Sequence, residues 1–596
     1  MDIPSFYGDK IDLYTKDVRS CKKRIFLLSA YRLLSFLALA LSVYYLFKQY
    51  SSLMLAISLL LAGIFMLLVR HAFRLNERKL LLEKLLFINQ NELAVMNGQP
   101  NEMDNSAAFA DPSDYSGDLD IFGKNSLYHL LNRCTTQHGK ERLAHMLKHP
   151  LTDTSGIKER QTAVANFSEQ TYARQLITAH GLMHQEEDGN LYSIFEWLKG
   201  GQNLHHKKWL QVARWIIPAY TIPALFYYLA TDNLGWLLTG VGAGWLITAL
   251  HTKYIHQQHQ LIGKKQAILS QYATILQTFN TIQTGNSALL KELQRTSINA
   301  HTAIKDLSRL SSAFDQRLNL VVNLVINSLF LYDIQCILRL DAWKEKHKSN
   351  FAGWLHAVGD IECLNAQATL YFNNPAFCFP APLEDAAPRI AAQEMAHPLI
   401  TQGERVANDF EAGRSGRMLL VTGSNMSGKT TFLRTLGVNL VLAQSGSPVC
   451  ASSFSFTPMQ VYTSIRVSDS LQEHTSYFMA ELKRLQYIIQ QLQNGQSALV
   501  LIDEILRGTN SEDKTHGSEE FIKQLIRYNC ITLFATHDLM LSALEQQHPG
   551  VIGNYCFESV IQNDSLYFDY KLQRGVAKNR NASFLMKQMG IIDTKG

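Results

Sequence analysis

A glycine-rich stretch in the last third of the chain has the residue types and order of a phosphate-binding loop. Residues 421–431 read VTGSNMSGKTT and follow the apolar residues 418–420, which predicts a strand, a tight turn and a helix start. In such a turn the backbone N–H groups curl around phosphates, while a lysine and the helix N-terminus supply positive charge. The residues expected to bind the phosphates of ATP are Gly423, Ser424, Asn425, Met426, Ser427, Gly428, Lys429, Thr430 and Thr431.

Two further elements downstream have the chemistry needed to hydrolyse a nucleotide. The apolar run 498–502 is typical of a buried strand and delivers Asp503 and Glu504 at its end. Thr430 and Asp503 are placed to hold Mg²⁺, and Glu504 to orient and deprotonate the attacking water. A second run, 530–536, ends at His537, whose imidazole would sense the γ-phosphate. The three elements together predict an ATPase that uses ATP and Mg²⁺.

The composition indicates a chain of several domains. A length of 596 residues with 46% hydrophobic content is enough for several large cores. The formal net charge of +5 neither demands nor excludes an acidic partner such as DNA. The eight cysteines include no Cys-x-x-Cys pair, which argues against a disulfide framework or a zinc site and favours a reducing, cytosolic setting.

Two pairs of apolar runs have the length and spacing of membrane-spanning helical hairpins. The first pair covers residues 25–47 and 53–69, and the second covers 215–230 and 234–250. About 20 residues span the hydrocarbon core of a bilayer. Because the flanks of both hairpins are basic, the positive-inside rule predicts a four-helix protein of a bacterial inner membrane, with both termini and the ATPase cytoplasmic. The alternative is two buried hairpins inside a large helical core.

Three other stretches carry structural expectations. A third apolar run, 318–332, is interrupted by asparagines at helical spacing, which predicts a soluble core helix rather than a fifth span. Residues 119–153 predict an amphipathic helix closed by His149 and Pro150. The Gln-rich stretch 253–320 predicts two antiparallel helices broken near residues 284–286. Its surplus of basic side chains would meet phosphates, or else form a solvated face or a face near anionic lipid headgroups.

The order of loop, acidic pair and histidine fits ABC-type ATPases, but the Leu-Ser-Gly-Gly-Gln signature of that class is missing. In its place stand residues 475–481, TSYFMAE, and here the chain resembles the MutS family of DNA mismatch repair ATPases. The loop is similar to that family's loop down to its Asn-Met pair. Further similar segments in the ATPase are 461–469, 503–509 and 570–576, and those before it are 397–400 and 408–409. In a lever-like region the similar segments are 119–123, 135–139, 150–153 and 157–164. The resemblance covers roughly residues 117–200 and 250–592.

The resemblance implies roles for individual residues. Lys429 and the loop backbone would bind phosphates, Thr430 and Asp503 would hold magnesium, and Glu504 would be the general base. His537 would be the switch histidine. Ser476, at a helix start, would cap the γ-phosphate of the opposite subunit, so that ATP clamps a homodimer together and hydrolysis releases it.

Departures from the family pattern are equally informative. The mismatch-reading domain with its Phe-x-Glu wedge and the connector domain are expected to be absent, since the first hairpin takes the N-terminal position. Phe167-Ser168-Glu169 has the wedge letters but falls inside the lever-like segment, so we interpret it as accidental. Leu506 replaces a usual glycine, and His474 and Thr475 precede Ser476 where the family has a glycine-containing run.

The predicted fold is multi-domain: helical transmembrane hairpins, an all-α lever- and clamp-like region, and an α/β ABC-type P-loop ATPase domain. The predicted segments are 1–97 with the first hairpin, a linker at 98–117, lever helices at 118–204, the second hairpin at 205–252, clamp-like helices at 253–390 and the ATPase at 391–596. The predicted function is a membrane-anchored, MutS-like ATPase dimer that clamps DNA, with mismatch reading doubtful. The alternatives are an ATP-gated membrane scaffold and an ABC-type transport ATPase, neither acting on DNA.

Overall fold

The computed structural model describes residues 2–578 with the exception of 50, 106, 112–114, 185–189, 202, 414–415, 425, 467–476, 507–509 and 563–564. It is a mostly helical, multi-domain protein with an α/β region in its last third. The chain begins with two long antiparallel helices, α1 (Ile3–Lys48) and α2 (Ser52–Met96). Each is about 68 Å long at 1.5 Å per residue, more than twice the hydrocarbon thickness of a bilayer.

Twelve further helices of the described chain precede the sheets. They are α3 (Tyr115–Asp118), α4 (Leu127–Leu131), α5 (Gln137–Lys148), α6 (Thr154–Ser168), α7 (Thr171–Leu182), α8 (Asn190–Lys199), α9 (Lys208–Thr231), α10 (Gly235–Ile262), α11 (Gln266–Phe279), α12 (Ala288–Asp315), α13 (Leu320–Phe330) and α14 (Tyr332–Asn373). Ser126, Thr136, Asp153 and Ser287 cap the starts of α4, α5, α6 and α12 by accepting hydrogen bonds from backbone N–H groups.

The last third contains two sheets and four more helices. The strands are β1 (Ala381–Pro382), β2 (Ile390–Met395), β3 (Asn408–Ala412), β4 (Met418–Gly423), β5 (Ser453–Phe456), β6 (Gln460–Ser464), β7 (Ala498–Asp503), β8 (Cys530–Thr536), β9 (Ile552–Gln562) and β10 (Ser565–Arg574). The helices are α15 (Lys429–Gln444), α16 (Tyr477–Leu492), α17 (Ser511–Leu525) and α18 (Leu544–Gln547). The larger sheet has the order β10-β9-β4-β8-β7-β6, parallel except for β10.

Two hydrophobic cores are joined by one helix. The first core packs α4, α5 and α15 against the strands, and the second lies among α6, α7, α11 and α12. The 42-residue helix α14 contributes to both, with Leu370 in the first core and Val358 in the second. The helix α14 therefore links the two cores.

The first hairpin has two distinct halves. The half away from the turn buries side chains such as Tyr14, Val18 and Leu85 against α7. The half next to the turn, residues 25–47 and 53–69, exposes most of its large apolar side chains. Within this second half, Ser42 and Ser58 form a hydrogen bond of 3.1 Å between the two helices. Among the described residues, α1 and α2 are the helices long and apolar enough to cross a membrane by length and composition.

The second predicted hairpin is formed by α9 and α10, but neither helix meets that criterion of length and apolarity. The two helices pack closely where Gly240 of α10 faces Tyr220 and Thr221 of α9. A Cβ atom at Gly240 would lie 2.6 Å from the Tyr220 ring. Glycine at this position therefore admits the neighbouring helix, which a larger residue would push away.

The stretch 318–332 forms a helix as expected and is not among the candidate membrane spans of the described chain, but it does not lie in a core. This stretch forms α13, which lies against α9 and α10, and its Leu324 and Val325 side chains are 54% and 52% exposed. The asparagines do not share one environment: Asn319 is exposed, whereas Asn327 is buried and its side chain accepts a hydrogen bond from the Asp333 backbone N–H. Asn327 thus satisfies the backbone at a helix break rather than facing water.

Three other expectations have mixed outcomes. Residues 119–153 form two helices, α4 and α5, instead of one, because Ser126 and Thr136 each cap a separate start. The pair α11 and α12 is confirmed, with its turn at residues 280–287. The linker at 98–117 is docked rather than free, since the buried Asn101 side chain donates to the carbonyls of His129 and Asn132.

A buried ion pair fixes the base of the first hairpin to the helical body. Arg133 donates to both carboxylate oxygens of Glu92 at 2.6 and 2.8 Å, and Asn373 at the end of α14 donates to the same carboxylate. Both charged side chains are almost fully buried. The hairpin base and α14 therefore share one polar contact.

We expect Arg133→Met to destabilise the protein by roughly 3–5 kcal/mol, because it leaves the Glu92 carboxylate buried without its counter-charge. Thermal unfolding of the full chain in detergent measures this as a lowered Tm. The matched control is Lys79→Met, which removes a partly exposed partner of Glu83 at 3.6 Å and is expected to cost under about 0.5 kcal/mol. Equal effects of the two substitutions would contradict a structural role for the buried pair.

Candidate functional site

The glycine-rich stretch joins the end of β4 to the start of α15. All of β4 is buried between its parallel neighbours β8 and β9, so the loop emerges from the carboxyl edge of the sheet. Gly428 occupies the position before the helix with a φ of +104°, a conformation that side chains with a Cβ atom rarely adopt. The sequence-predicted strand, turn and helix are thus confirmed.

The side chain of Lys429 folds back onto the loop with which it is expected to bind phosphates. Its buried ammonium donates to the carbonyl oxygens of Gly423 and Ser424 at 2.8 and 2.9 Å. The Ser427 hydroxyl is also buried and makes no hydrogen bond to the described residues. A buried ammonium and an unpaired hydroxyl at one turn suit an anion that brings acceptor oxygens.

The predicted magnesium residues meet at the sheet edge. The Thr430 hydroxyl donates to the Asp503 carboxylate at 2.5 Å, joining the first turn of α15 to the end of β7. A hydroxyl beside a carboxylate is an oxygen-donor set of the kind that Mg²⁺ prefers. The two residues fit that ion, as the sequence indicated.

Glu504 and His537 lie next to each other beyond these residues. Glu504 has a φ of +54°, an uncommon conformation for a residue with a side chain, and its carboxylate is 4.0 Å from the His537 ring nitrogen Nε2. That nitrogen is 3.5 Å from the Lys429 ammonium. Burial, and then the Lys429 charge, lower the pKa of His537 below its ordinary value, so the ring is neutral at neutral pH.

Lys514 is a site residue that the sequence reasoning missed. It lies in the first turn of α17, and its ammonium is 2.5 Å from the Glu504 carboxylate oxygen Oε1. The feature of the sequence that could have indicated Lys514 is its position near the start of the helix that follows Asp503 and Glu504. Since Glu504 is the predicted base, a cation on its carboxylate bears directly on its orientation.

These side chains surround one cavity of about 670 Å³. Besides the loop, it is lined by Met395, His397, Ile400, Glu404, Val406, Asn408, Phe432, Thr435, Asp503, Glu504, Lys514, His537, Phe557 and Tyr570. The volume falls in the range of small-molecule and cofactor sites. Burial, chiefly, lowers the pKa of His397 to about 4, which keeps that ring neutral as well.

Two predicted site residues, Asn425 and Ser476, lie outside the described residues, as do His474 and Thr475. Leu506 is described and shows why a glycine suits its position, because its φ is +59°. Its backbone N–H donates to the buried carboxylate of Glu481 at 2.9 Å.

The site is tied to the helical body through two aspartates in and just after α3. The backbone N–H groups of Ile465 and Arg466, after β6, donate to Asp118. Asp120 pairs with Arg434 of α15 at 3.0 Å and with Arg466 at 2.7 Å. The helix that starts at the phosphate-binding loop is thereby connected to the region before α4.

The Phe167-Ser168-Glu169 triplet is not a wedge. Phe167 is fully buried and packs edge-on against Phe279 with ring centroids 5.9 Å apart. A side chain held in the core cannot enter a base stack, which agrees with the accidental interpretation.

Two family models match the chain. Residues 113–211 match MutS domain III and residues 419–590 match MutS domain V. The first match begins just before α3 and ends in α9, and the second covers the strands and helices around the cavity.

Relatives support the same assignment. MutS protein homolog 4 of Mus musculus is 32% identical over 201 residues, which are 32% of this chain and 21% of that protein. DNA mismatch repair protein MutS of Clostridium kluyveri is 31% identical over 257 residues, 41% of this chain and 29% of its own. Endonuclease MutS2 of Thermus thermophilus is 33% identical over 225 residues, 37% of this chain and 27% of its own.

The chain thus spans under a third of the length of each of these relatives. The matches and the geometry agree on the part of the chain that carries the loop, the acidic pair and the histidine. This chain belongs to the MutS family and carries counterparts of its domains III and V.

Proposed function

We propose that this protein is a membrane-anchored, MutS-type ATPase that closes as a homodimer around DNA when ATP is bound. The observation that carries the ATPase proposal is the convergence of Lys429, Thr430, Asp503, Glu504 and His537 on one cavity. They lie at or just after the ends of three adjacent parallel strands, β4, β8 and β7, an order that supports the proposal of an ABC-type P-loop ATPase.

The residues divide the work of binding and hydrolysis. Bound ATP with Mg²⁺ supplies the phosphoryl group to be transferred to water. Lys429 and the loop N–H groups bind its phosphates, and Thr430 and Asp503 hold the metal. Glu504 orients a water molecule and accepts its proton, and neutral His537 donates a hydrogen bond to an oxygen of the γ-phosphate. Ser476 of the second protomer completes the site, which makes turnover depend on dimerisation.

Lys514 is proposed to act as a positioning residue for Glu504. We expect Lys514→Met to lower kcat by between about tenfold and a hundredfold with little change in KM, because the carboxylate is no longer oriented by the ammonium. Steady-state hydrolysis by the full chain in detergent measures both constants. Lys514→Arg should restore most of the rate. An unchanged kcat, or an effect that appears only in KM, would remove Lys514 from this role.

The membrane anchor is proposed from the exposed apolar halves of α1 and α2. Large apolar side chains on both helices face outward over residues 25–47 and 53–69. Soluble proteins rarely expose a contiguous apolar surface of this size to water. Lys22, Lys23 and Arg24 precede this surface on α1, which by the positive-inside rule supports the proposal that the remainder of the protein lies on the cytoplasmic side of the membrane.

The DNA contact is proposed on the outer face of α12. Its basic side chains are exposed and recur at helical spacing, whereas its opposite face is buried in the second core. The exposed basic residues are Lys291, Arg295, Lys305 and Arg309. A stripe of this kind suits the regularly spaced phosphates of a nucleic acid backbone.

Salt dependence tests the DNA proposal. We expect the full chain in detergent to bind duplex DNA with an affinity that falls as salt rises. Lys291→Gln together with Arg295→Gln should reduce the slope of log K against log salt by about 0.9 for each phosphate that is no longer neutralised. Lys158→Gln, on α6, serves as the matched control. Absence of salt-dependent binding would leave the ATPase proposal standing and favour a scaffold with a protein ligand.

A further inference from the structure

The most unusual surface outside the cavity belongs to α9, α10 and α13. Most of the outward side chains of these three helices are large and apolar. They include Trp215 and Phe226 on α9, Trp236 and Leu246 on α10, and Leu324 and Val325 on α13. Soluble proteins rarely expose a contiguous apolar surface of this extent.

We propose that residues 318–331 are a re-entrant membrane segment, which enters the bilayer together with α9 and α10 and leaves it on the same side. The proposal rests on the proposed membrane association through α1 and α2, and adds to it the group formed by α9, α10 and this segment. At 11 residues, α13 is about 16 Å long and cannot cross a hydrocarbon core of about 30 Å.

Both ends of the segment meet at one group of charged residues. Arg317, just before the segment, has its guanidinium 3.5 Å from the carboxylate of Asp333, just after it. Next to them, Asp315 accepts from the Lys264 backbone N–H and pairs with His259 at 3.0 Å. The apolar segment therefore begins and ends at the same group of charged residues. This is the topology of a re-entrant loop.

The helix break inside the segment has its polar backbone groups satisfied by side chains. The Thr221 hydroxyl of α9 donates to the Leu329 carbonyl at 2.6 Å, and Gln335 donates to the Phe330 carbonyl at 2.9 Å. On α10, the Trp245 indole donates to Ser328 at 2.9 Å. Non-helical backbone is tolerated at membrane depth only when neighbouring helices pair its polar groups in this way.

Small residues lie between α9 and α10, while the large apolar side chains of both helices point outward. This arrangement favours lipid over a protein partner at the outer surface. Gly240, Gly244 and Thr248 are the buried residues in the first half of α10, and a Cβ atom at Gly244 would meet Ile217 of α9 and Leu331 at 3.6 and 3.8 Å. Small residues at four-residue spacing are how membrane helices approach one another, while their large apolar side chains face lipid.

Quenching by lipid chains tests the proposal on the full protein. A bimane fluorophore is attached to Leu324→Cys or Val325→Cys, and the protein is reconstituted in phosphatidylcholine and phosphatidylglycerol vesicles with brominated acyl chains. Phe36→Cys on α1 and Ile298→Cys on α12 are the controls, because all four positions are 52–55% exposed apolar residues. The parent chain, in which seven of the eight cysteines are buried, serves as the blank.

We expect Leu324→Cys and Val325→Cys to be quenched as strongly as Phe36→Cys and several-fold more than Ile298→Cys. Quenching at Phe36 without quenching at 324 and 325 would overturn the re-entrant segment and leave the first hairpin as the anchor. If Phe36 is not quenched either, the proposed membrane association itself fails, and this inference fails with it.

Discussion

Replacing Lys429 by alanine is expected to abolish ATP binding at concentrations that saturate the native protein. The Lys429 ammonium is buried against the carbonyls of Gly423 and Ser424, where it supplies the lysine charge of the phosphate-binding turn. Charge-assisted hydrogen bonds contribute about 1.5–3 kcal/mol each, so removing those that the ammonium makes to the phosphates should weaken binding by roughly a hundredfold or more. Equilibrium binding of a fluorescent ATP analogue to the full chain measures the change in affinity.

A control separates this effect from damage to the fold. Lys523→Ala removes a lysine of α17 that pairs with Glu519 at 2.7 Å and with Glu520 at 3.0 Å, and none of these three residues belongs to the described cavity lining. It should leave ATP affinity within about twofold of the native value, since an exposed lysine contributes little to a distant site. Native affinity in Lys429→Ala would show that the nucleotide does not use this loop.

Glu504→Gln is expected to leave ATP binding intact and to stop turnover. Glutamine keeps the shape of the side chain but cannot accept the proton of the attacking water, and general-base catalysis contributes about 10²–10⁴-fold. If ATP closes the dimer and hydrolysis opens it, the variant should accumulate as a closed, nucleotide-bound dimer. Phosphate release and size-exclusion chromatography with light scattering, each with ATP and Mg²⁺, measure the two effects.

The matched control for this substitution is Glu545→Gln. Glu545 also carries an ion pair in this domain, with Arg574 at 2.7 Å, but it is remote from the phosphate-binding turn. Turnover and dimer distribution should stay native in this variant. A Glu504→Gln protein that hydrolyses ATP at the native rate would remove Glu504 from its role as base.

The elements around the cavity could be predicted from sequence because they depend on local pattern. The apolar run at 498–502 becomes β7, and 530–536 becomes β8, since a parallel strand buried on both faces is almost continuously apolar. The loop residues follow from the same logic, because their glycines and lysine are adjacent in the chain.

The parts that could not be predicted depend on distant contacts. Lys514 reaches Glu504 only because α17 returns to the end of β7, which no spacing in the sequence specifies. The buried pair of Glu92 and Arg133 joins residues 41 positions apart, and nothing in the sequence distinguishes it from ordinary surface charges. For α13, the asparagine spacing predicts a polar face, whereas the tertiary structure uses Asn327 to pair a broken backbone.

The measurement that tests the central claim most directly is Mg²⁺-dependent ATP hydrolysis by the purified full chain reconstituted in lipid vesicles, compared with Lys429→Ala. The account predicts steady release of phosphate by the native protein, none above background by the variant, and none after Mg²⁺ is chelated. Equal rates for the two proteins, or no hydrolysis by a native protein that is folded and dimeric, would contradict it.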